Sequence, residues 1–198
     1  GLLMNSSGGA SAITIKRIGT FGGAAGVTGT TTIGNAATAT LTLDNGVANT
    51  ASGFNFGGTT ILKAAGDIVT DKDINIETDE DLTFAPGQTS GDLKITGDFD
   101  VVATTSNDTI TVSGNIKGVD ENTSNDDVTI VAGASTGTDG GTIVLGGTVG
   151  TEIEKVTLTA ATSISLGGNI TTADAASNNV DINGPAILTA NVQIKTDA

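Results

Sequence analysis

The sequence predicts an all-β fold, a right-handed parallel β-helix (β-solenoid), from its alternation pattern, its composition and the spacing of its strands. Short runs in which apolar and polar residues alternate occur along the whole 198-residue chain, and this is the period of a strand with one buried face. Thr and Gly occur 35 and 29 times, which is typical of β-branched strands separated by turns. Apolar residues at helical spacing are missing from every window of about eleven residues.

The predicted strands follow one another closely, and the turns between them contain Gly, Asn, Asp and Pro, which favour tight turns. Near the C-terminus the alternation shortens to three bursts, Val180/Ile182, Ile187 or Leu188, and Val192/Ile194. The predicted strands are AITIKRI (12–18), TATLTL (38–43), TTILKA (59–64), DINIET (73–78), DLTF (81–84), DLKIT (92–96), DTITVS (108–113), DVTIVA (127–132), GTIVLGG (141–147), KVTLTA (155–160), SISLGG (163–168), NVDING (179–184) and NVQIKT (191–196).

Spacing selects a solenoid among the all-β folds. The most similar strands, LTF, ITV, VTI, TLT and DIN, begin near residues 82, 110, 129, 157 and 181. Their separations of about 19–28 residues match one coil of a parallel β-helix, in which coils stack at about 4.8 Å. The residues expected to face inward are Ile61, Ile74, Ile76, Leu93, Ile95, Ile110, Val112, Ile130, Ile143, Leu158, Ile164, Val180, Ile182, Val192 and Ile194.

An antiparallel sandwich is the competing fold, and it usually has two-residue hairpins, longer strands and a few buried aromatic residues. Only Asn45-Gly46 and Asn183-Gly184 supply the Asn-Gly pair typical of such hairpins, and the strands around them are short. The aromatic residues are five Phe, without Trp or Tyr, so a narrow core of small branched residues is expected. These observations favour the solenoid.

Composition excludes several chemistries. The chain has no Cys and no His, which rules out disulfides, Cys/His zinc sites and catalysis by Ser-His-Asp or Cys-His groups. Its net charge of −14, with seven Lys and one Arg, makes nucleic acid an unsuitable partner, because phosphate binding needs clustered cations. No stretch approaches about 18 continuous apolar residues, so no transmembrane helix is expected.

The C-terminal part of the chain, residues 155–198, contains the stretch VTLTAATSISLGGNITTADAASNNVDINGPAILTANVQIKT. This stretch closely resembles the β-strand repeats of large bacterial surface proteins similar to filamentous haemagglutinin and autotransporter-type adhesins. The resemblance is reasonable over residues 58–154 and poor over residues 1–57. It implies a right-handed parallel β-helix, export to the cell surface, and a stalk, adhesive or filament-forming role. It carries no functional residues to this chain.

Two regions follow from this comparison. Residues 1–57 are expected to form a less regular β segment, and residues 58–198 to form regular coils that continue the same core. The chain stops directly after the strand NVQIKT (191–196) without a recognisable cap. Uncapped solenoid ends invite self-pairing, so the expected partners are copies of the chain end to end or further repeats of the same chain.

Two acidic stretches are candidate calcium sites. Asp71, Asp73, Asn75 and Glu77 recur at every second position, but the calcium-loop pattern needs Gly where Ile76 stands and Glu where Leu82 stands. The second stretch, which contains Asp120, Glu121, Asp126 and Asp127, is predicted as a loop. The favoured interpretation for both is a solvated surface, with Ile74 and Ile76 facing inward, and calcium is the one cofactor left open.

The predicted function is therefore a structural or adhesive solenoid of an extracellular or cell-surface protein, with no catalytic residues. A glycan- or calcium-binding module is the alternative. A polysaccharide-degrading enzyme is less favoured, because paired carboxylates would be needed and the chain offers few aromatic rings and one Arg to hold a sugar.

Overall fold

The computed structural model describes residues 2–5, 11–19, 22–23, 26–44, 53–71, 73–87, 91–119, 126–133, 139–150, 152–173 and 178–196. Within them, 22 strands form three sheets, and all the strand pairs are parallel. No helix occurs in the described part of the chain. The predicted parallel β-helix is confirmed, and no helix among the described residues is long and apolar enough to cross a membrane.

Each sheet collects one strand from every successive coil. Sheet 1 contains β1 (Leu2–Met4), β3 (Thr31–Ile33), β6 (Thr60–Lys63), β9 (Leu82–Ala85), β12 (Thr109–Val112), β15 (Thr142–Leu145), β18 (Ser163–Leu166) and β21 (Ala186–Leu188). Sheet 2 contains β2 (Ser11–Ile15), β4 (Thr38–Asp44), β7 (Ile68–Asp71), β10 (Asp92–Ile95), β13 (Asn115–Gly118), β16 (Val149–Gly150), β19 (Ile170–Thr172) and β22 (Ile194–Thr196). Sheet 3 contains β5 (Phe54–Phe56), β8 (Ile74–Thr78), β11 (Phe99–Ala103), β14 (Asp126–Ala132), β17 (Ile153–Ala160) and β20 (Asn179–Asn183).

Coil length varies more than the sequence spacing predicted. In sheet 1, Ile110 pairs with Ile143, which lies 33 residues on, and Ile143 pairs with Ile164, which lies 21 residues on. The shortest predicted interval, from ITV (110–112) to VTI (128–130), is not a coil, because these strands belong to sheets 1 and 3 of one turn. The similarity of their sequences had wrongly placed strands of two different sheets in one series.

The interior is a set of ladders in which the same inward position repeats from coil to coil. In sheet 1, Ile33 pairs with Leu62 and Leu62 with Phe84; all three are fully buried. Four Phe also lie inside: the rings of Phe54 and Phe56 stack at 6.1 Å, and those of Phe84 and Phe99 meet edge to face at 5.4 Å. The core therefore accommodates large side chains in its early coils and smaller branched ones later.

Most of the predicted inward residues are confirmed. Ile61 is an exception, because Leu62 occupies the inward ladder and Ile61 pairs on the outer face with Thr32 and Thr83. The confirmed residues, all 0% exposed, are Ile74, Ile76, Leu93, Ile95, Ile110, Val112, Ile130, Ile143, Leu158 and Ile164.

The last predicted inward residues are covered less than expected. Val180, Ile182 and Val192 are half-buried against the core, and Ile194 is 48% exposed. Ile194 pairs with the buried Ile170 and so continues the inward ladder. It remains exposed because β22 is the final strand of sheet 2 and no described strand covers it.

Glycines allow the chain to turn tightly from sheet 1 into sheet 2. A Cβ on Gly147 would lie 2.6 Å from the carbonyl oxygen of Gly114, and one on Gly168 would lie 2.6 Å from the backbone carbon of Gly147. Coils approach each other too closely here for any side chain at these positions. The register of sheet 2 therefore depends on glycine at this corner.

A charge placed in the ladders should unfold the chain. Leu158 pairs with Ile130 inside sheet 3, and both side chains are fully buried. Leu158→Asp would put a carboxylate in an apolar interior, and we expect a loss of about 4 kcal/mol or more in the free energy of unfolding. The outward neighbour supplies the control, since Thr159→Asp should change it by less than about 1 kcal/mol. Thermal unfolding followed by circular dichroism measures both, and equal losses would contradict the inward assignment.

Candidate functional site

The first acidic stretch is spread over two faces of the solenoid. Asp71 ends β7 in sheet 2, where it pairs with Asp44, whereas Asp73 precedes β8 and Asn75 and Glu77 lie on the outer side of β8 in sheet 3. Alternate residues on one strand form a line, with about 6.6 Å between neighbours. The stretch therefore runs along the surface and does not surround a single point.

Glu77 already has hydrogen-bond donors. Its Oε2 accepts hydrogen bonds from the backbone N–H of Gly22 at 2.7 Å and from Nδ2 of Asn55 at 2.8 Å. Gly22 belongs to the first half of the chain and Asn55 to the adjacent strand β5. Glu77 thus has a structural role, in which it joins the N-terminal segment to sheet 3.

The second acidic stretch is also divided. Asp120 and Glu121 lie outside the described residues. Asp126 is fully buried at the start of β14, where it pairs with Ile153, while the next residue, Asp127, pairs with Lys155 on the outer face. Successive residues of a strand point to opposite faces, so Asp126 faces inward and Asp127 outward, and a one-residue irregularity in β17 lies between their two pairings.

Asp126 occupies a corner that a glycine makes possible. A Cβ on Gly118 would lie 2.6 Å from Oδ2 of Asp126 and 3.0 Å from both Cβ and the carbonyl oxygen of Glu152. Glu152 has a φ of 63°, the left-handed conformation that non-glycine residues adopt at special turns. Gly118, Asp126 and Glu152 therefore bring two carboxyl groups to one corner between successive coils.

These placements do not assemble a metal site in the described part of the chain, which contains no group of three Asp or Glu side chains arranged to hold one ion. Calcium prefers six to eight oxygen ligands. The proposed ligands Asp71, Asp73, Asn75 and Glu77 form a line, and Glu77 is engaged by donors. The described carboxylates fit a role in joining coils better than a role as a calcium cage.

The best-defined polar feature is a row of carboxylates at the start of the sheet 3 strands, which we call the acid row: Asp73, Asp98 and Asp127. Oδ1 of Asp73 accepts the backbone N–H of Asp98 at 3.2 Å, and Oδ1 of Asp98 accepts that of Asp127 at 3.1 Å. The backbone N–H of Lys155 bonds in turn to Asp127. Each carboxylate therefore satisfies a backbone donor of the next coil.

Ionisation is unfavourable along the acid row, because its carboxylates are stacked next to one another and partly buried. Burial raises the pKa of Asp98 above its ordinary value against the hydrogen bond from Asp127, and the charge of Asp73 raises it further. Burial also raises the pKa of Asp127, as does the charge of Asp98, while Lys155 opposes both effects. The ionised forms of Asp98 and Asp127 thus lower the stability of the fold.

Asp100, on β11, extends this negative region. Burial raises the pKa of Asp100, a hydrogen bond from Thr129 opposes the rise, and the charges of Asp98, Asp127 and Asp73 increase it. Because Asp98, Asp100 and Asp127 take up protons more readily in the folded chain, their contribution to stability is largest at low pH. It is lost as the pH rises through their raised pKa values.

A second row, at the start of the sheet 2 strands, is neutralised. Oδ1 of Asp67 accepts the backbone N–H of Asp92 at 3.0 Å, and Oδ1 of Asp92 accepts Nδ2 of Asn115 at 2.8 Å. The other oxygens pair with lysines on the strands: Asp67 with Lys94 at 2.6 Å and Asp92 with Lys117 at 2.8 Å. Burial opposes ionisation of Asp92, but Lys117 and Asn115 outweigh it and lower its pKa.

A signal in the sequence could have identified the second row. A Gly, then a polar residue, then an inward aliphatic residue occurs at the start of five of the eight sheet 2 strands. The inward residue is buried each time, and the polar residue is Asp, Asn or Thr. The five copies are Gly66-Asp67-Ile68, Gly91-Asp92-Leu93, Gly114-Asn115-Ile116, Gly147-Thr148-Val149 and Gly168-Asn169-Ile170.

Comparison with known proteins adds no relative: no family model, no curated protein and no solved structure matches the chain.

The two rows predict opposite effects of the same substitution. Asp98→Asn keeps the Oδ1 acceptor and removes a destabilising charge, so at pH 7 it should raise the melting temperature by about 2 °C, a gain of less than about 1 kcal/mol. The gain should disappear as the pH falls through the raised pKa of Asp98 towards its ordinary value of 3.8.

Asp92→Asn is the matched control. It removes the ion pair with Lys117 and should lower the melting temperature at pH 7, again by less than about 1 kcal/mol. Because the pKa of Asp92 is lowered in the folded chain, this loss should vanish as the pH falls below 3.8. Calorimetry between about pH 2 and about pH 7 measures both variants, and effects of the same sign at pH 7 would contradict the assignment of the two rows.

Proposed function

We propose that the chain is a structural segment of a bacterial cell-surface or extracellular filament protein, in which it forms a rigid stalk or a self-associating fibre. The observation that carries the proposal is the continuity of the three sheets, of which two contain eight strands each and one contains six. At about 4.8 Å between strands, the eight-stranded sheets extend over about 34 Å. Each coil is joined to its neighbours by backbone hydrogen bonds along the axis.

This construction suits a spacer of adjustable length. A coil contacts mainly the coils directly before and after it, so stability is close to a sum over neighbouring pairs. Coils of 21 and 33 residues stack in the same sheet, which indicates that the stack accepts insertions at its corners. Added coils would therefore lengthen the rod without a new kind of core.

Both ends of the stack present apolar ladder residues that suit pairing with another coil. In the last coil, Leu188 pairs with the buried Leu166 and is itself 59% exposed. In the first coil, Met4 pairs with the buried Ile33 and is 37% exposed. The proposed partners are copies of the chain end to end or further repeats of the same chain.

An extracellular location is part of the same proposal. It is supported by the resemblance of residues 155–198 to exported surface repeats and by a cysteine-free, strongly acidic composition with net charge −14. Large net charge favours solubility, which suits a rod exposed along its length.

End-to-end association should be visible in solution. We expect the mass from sedimentation equilibrium to rise with protein concentration, and Leu188→Asp to reduce this rise because it charges the open ladder. Thr171→Asp, on the outer face of sheet 2, is the control and should leave it unchanged. A wild-type mass that stays monomeric at every concentration would remove the self-association version. The mass of the protein in its source cell tests the version with further repeats.

Calcium or glycan binding remains the alternative, and the acid row is the observation that favours it, because stacked carboxylates attract cations. A bound ion would raise the melting temperature by mass action. The structural proposal expects the same melting temperature in chelator and in millimolar calcium. A saturable rise that Asp73→Asn or Asp127→Asn abolishes would support the calcium-binding module.

Absence of catalysis is also part of the proposal. A screen against polysaccharides and esters should give no turnover. Saturable hydrolysis that is lost on replacing Asp71 or Asp73 would overturn it.

A further inference from the structure

The outer face of sheet 1 differs in charge from the rest of the surface. Its central column runs through all eight strands and mixes aliphatic and hydroxyl side chains. Among the outward residues of these strands, Lys63 is the only charged one. The central column is Leu3, Thr32, Ile61, Thr83, Thr111, Val144, Ser165 and Ile187.

Flanking residues continue this uncharged character. Thr109 pairs with Thr142, and Thr142 with Ser163, on one side of the column. On the other side, Ala85 pairs with Lys63. Acidic residues begin at the rim, where Asp81 precedes β9 and its Oδ1 accepts the backbone N–H of Thr109 at 2.6 Å. An uncharged centre with a charged rim is the arrangement of a protein interface.

The other two faces contrast with it. Sheet 2 carries Lys94 and Lys117 side by side on its outer surface, and sheet 3 carries Asp100 and Asp127. Two copies of a chain with net charge −14 repel each other. The repulsion is smallest where the contact surface has no carboxylate, and the described strands offer such a surface on sheet 1.

A depression at one edge adds shape to this face. It has a volume of about 410 Å³ and lies beside the strands β6 and β9. Its lining is mainly apolar and includes Ile61, Ala64, Ala85 and Pro86, together with Lys63. A protruding aliphatic side chain such as Leu3 or Ile187, 68% and 50% exposed, matches it in chemistry.

We propose that the outer face of sheet 1 is a lateral interface at which a second copy of this chain binds, so that two solenoids lie side by side. Sheets that pack face to face lie about 10 Å apart, a distance that Thr, Val and Ile side chains fill. This contact is separate from the end-to-end contact and uses none of the same ladders. It would turn single rods into paired ones.

The size of the face sets the strength of the contact. A surface about 34 Å long and one strand of about 13 Å across buries on the order of 1,000 Å² in total when two copies meet, which is the lower end for a specific interface. The lateral dimer is therefore weak and depends on concentration. Salt strengthens it, because screening reduces the repulsion between two acidic chains.

Charge placed at the centre of the face tests the proposal. In sedimentation velocity at increasing concentration, and in a Leu188→Asp background that weakens the ends, the chain should form a dimer. Val144→Glu should weaken this dimer at least about tenfold, the effect of about 1.4 kcal/mol, and Thr111→Lys should do the same. Thr171→Glu, on the outer face of sheet 2, should leave it unchanged.

Circular dichroism tests whether each variant folds like the wild type. If either Val144→Glu or Thr111→Lys fails to fold, the other provides the test. A chain that remains monomeric in the Leu188→Asp background at high concentration and high salt would overturn the lateral interface. So would a dimer that neither sheet 1 variant weakens. Loss of association only in Leu188→Asp would support the end-to-end contact and contradict the lateral one, so the two proposals fail separately.

Discussion

Hydrogen bonding between the backbones of successive coils is the constraint on which the whole structure depends. Every coil must rise by about 4.8 Å so that its N–H and C=O groups meet those of the coil before it. That small rise forces equivalent residues on top of one another, which is why the interior consists of ladders such as Ile33, Leu62 and Phe84. It also explains the corner glycines, since Gly114 and Gly147 lie too close for a side chain.

The same rise creates the electrostatic problem of the fold, because charged residues at equivalent positions become neighbours. Sheet 2 solves it by pairing: Lys94 and Lys117 are stacked, and each is neutralised by an aspartate of the preceding coil. Sheet 3 solves it less completely: Lys155 opposes the rise in the pKa of Asp98 and of Asp127, but burial and the neighbouring carboxylates still raise both. Its carboxylates nevertheless hold the coils together, since they accept backbone N–H groups that the ladder leaves over at the corners.

Sequence reasoning recovered the strands whose alternation is clear and missed others for two reasons, shortness and adjacent aliphatic residues. It missed the five-residue strand β11 (Phe99–Ala103), in which the adjacent Val101 and Val102 obscure the alternation. All thirteen predicted runs contain strands, and Leu158 and Ile130 face inward as expected. FNF (54–56) was missed because three residues are too few for the Phe-Asn-Phe alternation to stand out from the neighbouring turns. Ile61 was assigned the wrong side because two adjacent aliphatic residues, Ile61 and Leu62, leave the phase of the strand undetermined without its neighbours.

The candidate site was less accessible to sequence reasoning than the fold. Regular spacing of Asp73, Asn75 and Glu77 indicated one strand face, and the structure places them there. What the spacing could not give is the partner coil, 25 residues away, that puts Asp98 against Asp73. Contacts between coils depend on register, and register here is set by corner glycines and coil length together.

Disulfide formation between chosen positions measures register directly, and the chain is suited to it because it has no cysteine. Val131 pairs with Thr159 on the outer face of adjacent coils, and Val102 lies one coil further away. Neighbouring parallel strands place their Cα atoms within the 4.4–6.8 Å that a disulfide spans, and strands two coils apart lie at about 9.6 Å. Oxidation should therefore cross-link a Val131→Cys/Thr159→Cys chain almost completely and leave a Val102→Cys/Thr159→Cys chain reduced. Equal cross-linking of the two chains, or cross-linking of the second alone, would contradict the stacked parallel coils on which this account depends.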